Sequence, residues 1–137
     1  MHANNIVHRD LKPGNCLLDD KFQLNIIDFG LAIESKSSTG SDGMLLGTPL
    51  FMAPEIFTSR GAIDSYKEPV DIWACGIIMY YLISNTFPFY DDDRHVLEHE
   101  ICTQPVIFSN ATFKNSDSKP AQDLITKMLA KNPIQRI

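Results

Sequence analysis

The chain has 137 residues, of which 44% are hydrophobic and 21% charged, values typical of one ordinary soluble globular domain. Its formal net charge of −5 argues against nucleic acid or an anionic membrane as the main partner. No apolar stretch is long enough to cross a bilayer. The three cysteines form no CxxC pair, which favours reduced thiols in the cytoplasm or the nucleus.

A β-hairpin is predicted in the first quarter of the chain. Residues 16–18 and, apart from Asn25, residues 24–27 are apolar, and the polar residues 19–21 between them form a turn signal. This hairpin places Asn15 at the start of one strand and Asp28 at the end of the other. Two oxygen-bearing side chains are therefore expected at one end of a rigid element.

Residues 34–43 are rich in serine and glycine. Such a composition buries little apolar area, so a mobile surface loop is predicted there. Order is expected to return at Leu45 and to continue through Glu55.

Three helices are predicted in the second half of the chain. The first runs from Pro69 to Ser84 and is apolar on almost every face, which indicates a central, buried helix. The second covers residues 92–103 after an acidic start. The third runs from Ser118, a favourable N-cap, to about Lys131, where apolar residues follow the one-sided helical pattern.

The segment His8-Arg9-Asp10-Leu11-Lys12-Pro13-Gly14-Asn15 combines groups that phosphoryl transfer needs. A carboxylate orients the hydroxyl nucleophile and accepts its proton, a role for Asp10. Lys12 brings positive charge to the phosphate being transferred. Asn15 and Asp28 offer oxygen ligands for magnesium. Alone, each residue also fits an ordinary turn, strand end or surface position, but together they predict a catalytic site.

With Asp28-Phe29-Gly30 following, this segment resembles the catalytic loop and the magnesium loop of the eukaryotic protein kinase family. Further family motifs follow in order: Gly47-Thr48-Pro49, Ala53-Pro54-Glu55, Asp71-Ile72-Trp73-Ala74-Cys75-Gly76 and Arg136. The resemblance covers residues 1–137, which correspond to about half of the family's domain. It implies a partial kinase domain with a mainly α-helical (α+β) fold. This fold is the C-terminal lobe, with a small β-hairpin carrying the metal-binding residues.

The resemblance also implies a function, the transfer of the γ-phosphate of Mg-ATP to serine or threonine of a protein substrate. Asp10 is then the catalytic base, assisted by Lys12 and by Thr48, whose hydroxyl is expected to hydrogen-bond Asp10 or Lys12. ATP and Mg²⁺ are the cofactors, with Lys12 near the phosphates and Asn15 and Asp28 holding the metal. Lys12 together with Thr48 is similar to serine/threonine kinases, and residues 47–55 and 123–129 are similar to the calcium/calmodulin-dependent group.

Supporting roles follow from the same resemblance. Phe29 is expected to pack into the core beside His8 and to hold the magnesium loop in register, with Gly30 allowing a sharp turn. Asp71 is expected to hydrogen-bond the backbone of the catalytic loop from the central helix. Glu55 and Arg136 are expected to form an ion pair that closes the lobe, a pair whose loss costs about 3–5 kcal/mol when buried.

Arg9 precedes the proposed base, and kinases of this type usually use that arginine to grip a phosphate on the activation segment. Eleven positions before Glu55, where comparable kinases often place a phosphorylated threonine or an acidic residue, this chain has Met44. Activation is therefore expected either to need no phosphate or to use a displaced site, Ser41 or Thr39.

The seven glycines nowhere form the GxGxxG string that covers a kinase's nucleotide. An N-terminal lobe is therefore expected as a partner, and the chain alone is expected to be inactive. Two interpretations remain open: part of a larger active kinase, or a short non-catalytic kinase-lobe module that binds substrates or regulators. The first is favoured, because a scaffold has no need for Asp10, Asn15 and Asp28 together.

Overall fold

Two short antiparallel strand pairs frame the N-terminal quarter of the chain. The computed structural model describes residues 1–35, 45–59, 67–109 and 111–137. Its strands are β1 (Ile6–Val7), β2 (Cys16–Leu18), β3 (Leu24–Ile26) and β4 (Ile33–Glu34). Strand β1 pairs with β4, and β2 pairs with β3.

The β2–β3 pair is the predicted hairpin. Cys16 pairs with Ile26, and one residue further out the Ile27 N–H donates to the carbonyl oxygen of Asn15 at 3.0 Å. At the opposite end, the Asp19 carboxylate accepts two backbone N–H groups of the turn, each at 2.8 Å. A short polar side chain that satisfies turn amides explains why the chain reverses here. The hairpin therefore brings Asn15 next to the residue that precedes Asp28.

Glu34, the first residue of the predicted surface loop, lies in a strand. Glu34 lies in β4 opposite Ile6, and the Ser35 N–H donates to the carbonyl oxygen of Asn5 at 2.7 Å. The prediction was wrong for Glu34 because its strand partner lies almost thirty positions away, where local composition carries no information. Residues 36–43 of the predicted loop lie outside the part of the chain that the structure describes.

The helices are α1 (Pro54–Thr58), α2 (Pro69–Ser84), α3 (Arg94–Thr103) and α4 (Lys119–Met128). Helix α2 has the predicted bounds, and Asn85 ends it in the left-handed conformation, with φ 56°. Helix α3 begins two residues later than predicted. Asp93 is its N-cap, and the Asp93 carboxylate accepts the N–H groups of His95 and Val96.

Helix α4 ends at Met128, three residues before the predicted end. Ser118 occupies the N-cap position, as predicted, but its hydroxyl caps no helix amide. It donates instead to the carbonyl oxygens of Phe113 and Asn115, at 2.8 and 2.6 Å. The hydroxyl therefore fastens the preceding turn to the start of α4.

One face of α2 forms the centre of the core. Trp73 and Ile77 are almost completely buried there, together with Ile101 of α3 and Ile125 of α4. The helices approach closely at Gly76, where an added Cβ would lie 2.8 Å from a methyl carbon of Leu129. A glycine at this position allows α2 and α4 to come into contact.

The other face of α2 is not buried, contrary to the prediction. Leu82 is 72% exposed, and an apolar groove with a volume of about 400 Å³ separates this face from the β2–β3 hairpin. Cys16 and Ile26 line one side of the groove, and Ile78 and Leu82 line the other. Periodicity showed that every face of α2 is apolar, but it did not show whether a neighbouring element covers each face.

In the described ranges, no helix has both the length and the apolar character needed to span a bilayer.

The close contact at Gly76 predicts that Gly76→Ala destabilises the fold. The new methyl group would lie 2.9 Å from Cβ of Met128, which sits near the α4 backbone, so α4 must move. Overpacking costs about 1–3 kcal/mol, and the better helix propensity of alanine returns roughly 0.5–1 kcal/mol. We expect a net loss in urea unfolding. Gly14→Ala is the matched control, because a Cβ there meets no atom within 4 Å. Equal stability of the two variants would contradict the prediction.

Candidate active site

The carboxylate of Asp10 lies at the centre of a compact polar network. Asp10 is only 9% exposed. Its Oδ1 accepts the backbone N–H of Thr48 at 3.0 Å and the Thr48 hydroxyl at 2.8 Å. Its Oδ2 accepts the Lys12 ammonium at 2.7 Å and the Asn15 amide nitrogen at 3.3 Å. The structure thus brings together four of the residues that the sequence singled out, although Thr48 is 38 positions from Asp10.

Lys12 links the two ends of this network. Besides its ion pair with Asp10, its ammonium donates to the Thr48 hydroxyl at 3.0 Å. The Lys12 side chain is 31% exposed, so its charge also faces solvent beside the carboxylate. The sequence predicted a bond from Thr48 to Asp10 or to Lys12. The structure contains both hydrogen bonds, and together they fix the Asp10 carboxylate in one orientation.

These contacts determine the ionisation of Asp10. Burial acts to raise its pKa, but the hydrogen bonds from Lys12 and Thr48 and the Lys12 charge outweigh burial and lower the pKa below its ordinary value. The carboxylate is therefore ionised throughout the physiological range. An ionised, oriented carboxylate accepts a hydrogen bond from an incoming alcohol.

Asn15 belongs to this network, and Asp28 follows the other strand at the same end of the hairpin. The Asn15 amide nitrogen also donates to the Asp10 carbonyl oxygen at 2.9 Å, while its side-chain oxygen receives no hydrogen bond from the described part of the chain. Asp28 is exposed, has φ 63°, and accepts the Gly30 N–H at 3.3 Å. An amide oxygen and a carboxylate at one end of a hairpin fit the oxygen ligands that magnesium prefers.

Magnesium usually takes few protein ligands and completes its shell with water and phosphate oxygens. The donor set agrees with this rule. Among the described residues, no three histidine, cysteine, aspartate or glutamate side chains are grouped so that they could hold a metal ion by themselves. A metal at Asn15 and Asp28 would therefore depend on ligands from a bound nucleotide and solvent.

The backbone of the catalytic segment is held from α2 by Asp71, as the resemblance implied. Asp71 is 1% exposed. Its Oδ2 accepts the His8 N–H at 2.8 Å, and its Oδ1 accepts the Arg9 N–H at 2.9 Å. Arg9 has φ 70°, a left-handed conformation that residues with a side chain rarely adopt. The two backbone hydrogen bonds that this buried carboxylate accepts hold Arg9 in its unfavourable conformation immediately before Asp10.

The His8 ring connects this segment to the magnesium loop. Its Nδ1 accepts the Asp10 N–H at 3.3 Å, so its Nε2 carries the proton and donates to the Ile27 carbonyl oxygen at 3.0 Å. The ring meets Phe29 edge to face, with 4.9 Å between centroids. Phe29 is 48% exposed, so the expectation that it packs into the core was wrong.

One residue of this arrangement was missed at the sequence level. The His2 Nε2 atom lies 2.8 Å from Oδ2 of Asp71. The contact joins residues 69 positions apart, and a lone histidine in a polar segment gives no sign of such a partner. No local signal in the sequence could have identified it.

Arg9 donates through its Nε to the carbonyl oxygen of Leu31, which fixes the side chain near the end of the magnesium loop. Its proposed phosphate partner on the activation segment is not tested by the structure. Thr39, Ser41 and Met44 all lie outside the described residues. The displaced phosphorylation site therefore stays a prediction.

Glu55 and Arg136 form the bidentate ion pair that the resemblance implied. Their two N–O distances are 2.6 and 2.9 Å, and the Arg136 side chain is completely buried. Arg136 also donates to the carbonyl oxygen of Pro69 at 2.7 Å, and its guanidinium lies 5.2 Å from the centre of the Trp73 ring. One side chain thus joins α1, the start of α2 and the segment after α4.

The Lys12→Met variant tests how the pKa of Asp10 is set. Because Lys12 supplies a hydrogen bond and a positive charge, we expect its removal to raise the Asp10 pKa, measured by carboxyl ¹³C NMR during an acid titration. In the original chain, the stability that ionised Asp10 contributes is complete above about pH 4 and is lost as pH falls through the lowered native pKa.

Lys12→Met should therefore flatten the dependence of the unfolding free energy on pH below about pH 4. Lys21→Met is the matched control, because Lys21 is exposed in the hairpin turn. An Asp10 pKa that is the same in both variants would show that the lysine charge does not control this carboxylate.

Comparison with known proteins gives the same result as the motifs. The protein kinase domain family matches residues 1–137. The calcium/calmodulin-dependent protein kinase type II subunit delta of Oryctolagus cuniculus is 41% identical over 139 aligned residues, which cover 99% of this chain and 25% of that protein. The calcium/calmodulin-dependent protein kinase type II of Caenorhabditis elegans is also 41% identical, over 99% of this chain and 18% of that protein.

The chain therefore spans a quarter or less of the length of these relatives. The similarity to serine/threonine kinases, and to the calcium/calmodulin-dependent group among them, is confirmed. The chain belongs to the protein kinase domain family.

Proposed function

We propose that these residues form the catalytic and metal-binding part of a protein serine/threonine kinase, which transfers the γ-phosphate of Mg-ATP to serine or threonine of a protein substrate. The observation that carries the proposal is the position of the Asp10 carboxylate. It is held at 2.7 Å by Lys12 and at 2.8 Å by the Thr48 hydroxyl, so it is oriented to receive a substrate hydroxyl.

Asp10 acts on the incoming alcohol. Its lowered pKa keeps it ionised, so it accepts the hydrogen bond of the substrate hydroxyl and orients that oxygen toward the phosphate. Thr48 and Lys12 occupy fixed positions on the carboxylate and prevent it from rotating. The proton of the hydroxyl moves to the Asp10 carboxylate as the new oxygen–phosphorus bond forms and the bond between the γ-phosphorus and its bridging oxygen breaks, which releases ADP.

Lys12 supplies the positive charge for the moving phosphoryl group. Its ammonium is bonded to Asp10 and Thr48 but remains 31% exposed, so a phosphate oxygen has access to it. A lysine held in place before the reaction stabilises developing negative charge without further reorganisation. This preorganisation favours phosphoryl transfer over simple nucleotide binding.

Asn15 and Asp28 would hold magnesium through the Asn15 amide oxygen and the Asp28 carboxylate. When bound, Mg²⁺ neutralises the charge on the nucleotide phosphates. The hydrogen bonds of the Asn15 side-chain amide support this assignment. The Asn15 amide nitrogen is already bonded to Asp10, which fixes the side chain and leaves its oxygen for a cation.

The chain on its own is proposed to have little or no activity. Its 137 residues contain no glycine-rich string of the kind that covers a kinase's nucleotide, so bound ATP would be left open to water. We propose that a nucleotide-covering lobe is its partner. A purely non-catalytic module has less support, because substrate binding alone does not require an ionised carboxylate with a lysine and a threonine fixed on it.

A chimera tests the proposed catalytic role. The matching segment of the Oryctolagus cuniculus subunit delta is replaced by this chain, so that an established kinase supplies the rest of the domain. We expect the chimera to transfer ³²P from ATP to a serine-containing peptide. Asp10→Asn should reduce kcat by about 10²–10⁴-fold, because the general base is lost.

Asp20→Asn is the matched control, since Asp20 is exposed in the hairpin turn. This variant should leave kcat unchanged. Full activity of the Asp10→Asn chimera would overturn the proposed base. A folded chimera that binds ATP but transfers no phosphate would favour the non-catalytic module.

A further inference from the structure

We propose that the side-chain amine of Lys131 is a modification site that accepts an acyl group from a small acyl thioester and becomes an amide. Lys131 follows α4 and contacts the last turn of α3. The inference does not depend on the proposed role of Asp10 as the base.

Lys131 takes the place of a backbone amide that α3 lacks. The carbonyl oxygens in the last turn of a helix have no partner within the helix unless a following amide reaches them. The amide that would bond the Ile101 carbonyl belongs to position 105, which is a proline and has no N–H. The Lys131 Nζ atom donates to this carbonyl oxygen at 2.5 Å. One N–H is enough for this bond, so a neutral amine or an amide nitrogen can also make it.

The surroundings of the amine compensate its positive charge only weakly. Nζ lies 4.0 Å from the centre of the Phe89 ring and 5.1 Å from that of the Trp73 ring, and both rings are buried. Aromatic faces attract a cation, but the Arg136 guanidinium lies 5.2 Å from the same Trp73 ring, so two cations share it. In the ranges that the structure describes, no carboxylate forms an ion pair with Lys131.

These surroundings favour the neutral amine. Burial lowers the pKa of Lys131 to about 8; the neighbouring Cys102 thiol acts to raise it, and the Arg136 charge acts to lower it further. Burial also raises the pKa of the Cys102 thiol, near which Glu98 and Glu55 lie, so the thiol is protonated at neutral pH.

The lowered pKa makes Lys131 a nucleophile at neutral pH. At pH 7.5, about a quarter of the Lys131 amines are uncharged, against roughly one in a thousand for a lysine with an ordinary pKa. An uncharged amine is the form of lysine that attacks a carbonyl carbon. Lys131 is partly exposed, which gives a small reagent access to it.

The reaction is a simple acyl transfer. The Nζ lone pair attacks the thioester carbonyl carbon, the carbon–nitrogen bond forms, and the carbon–sulfur bond breaks. The departing thiolate takes up the proton that Nζ releases, so the products are an amide and a free thiol. The amide is neutral and keeps one N–H for the Ile101 carbonyl oxygen. Acylation therefore removes a poorly compensated charge without removing the hydrogen-bond donor.

Acetylation of the whole chain by acetyl coenzyme A tests this inference. Initial rates at individual lysines are measured by mass spectrometry between pH 6.5 and 9.5. Lys127 is the matched internal control, because it is exposed one turn earlier in the chain. The same series is repeated in 8 M urea, where the contacts around Lys131 are absent.

We expect Lys131 to react about tenfold faster than Lys127 at pH 7.5, because its larger neutral fraction outweighs the lower nucleophilicity of a less basic amine. Its rate should level off above about pH 8, whereas that of Lys127 should keep rising about tenfold per pH unit. In urea the two lysines should behave alike. Equal rates in the folded chain, a Lys131 rate that does not level off, or a preference for Lys131 that persists in urea would each overturn the inference.

Cys102→Ser separates direct attack by the amine from transfer through the neighbouring thiol. Because the amine itself is the proposed nucleophile, this variant should change the Lys131 rate by no more than about twofold. A tenfold fall would mean that the thiol receives the acyl group first, which would contradict the proposed reaction.

Discussion

The buried carboxylate of Asp71 is the constraint on which the site depends. Burying a charge is costly unless hydrogen-bond donors surround it. Asp71 meets this condition with the amides of His8 and Arg9 and with His2, so the same bonds that make its burial tolerable also fix the backbone immediately before Asp10. The proposed base therefore takes its direction from a helix, not from a flexible loop. A carboxylate aimed in this way loses little conformational entropy when the substrate binds.

Helix α2 can hold Asp71 in place because contacts on the opposite side of the helix fix the position of the helix itself. Arg136 joins Glu55 of α1 to the first turn of α2, and α4 packs against α2 at Gly76. Packed interiors deform little, so the helix holds Asp71 at a constant depth.

The sequence predicted those features whose cause is local. The β2–β3 hairpin, the bounds of α2 and the close spacing of Asp10, Lys12 and Asn15 follow from turn residues, caps and short separations. The contact of Thr48 with Asp10 followed from the family resemblance alone. The β1–β4 pairing and the His2 contact could not be predicted, because each joins distant segments through groups that no local pattern marks. The start of α3 was missed for a smaller reason, since three consecutive aspartates offered equivalent caps.

The contacts around Asp71 and Arg136 join residues that are 63 and 81 positions apart. A ribosome adds about 5–20 residues per second, so the catalytic segment emerges roughly 3–13 s before the helix that holds it. Arg136 follows after a similar delay. During synthesis the segment around Arg9 therefore lacks the bonds that impose its left-handed conformation. The geometry around Asp10 is therefore acquired late, only after most of these 137 residues have been translated.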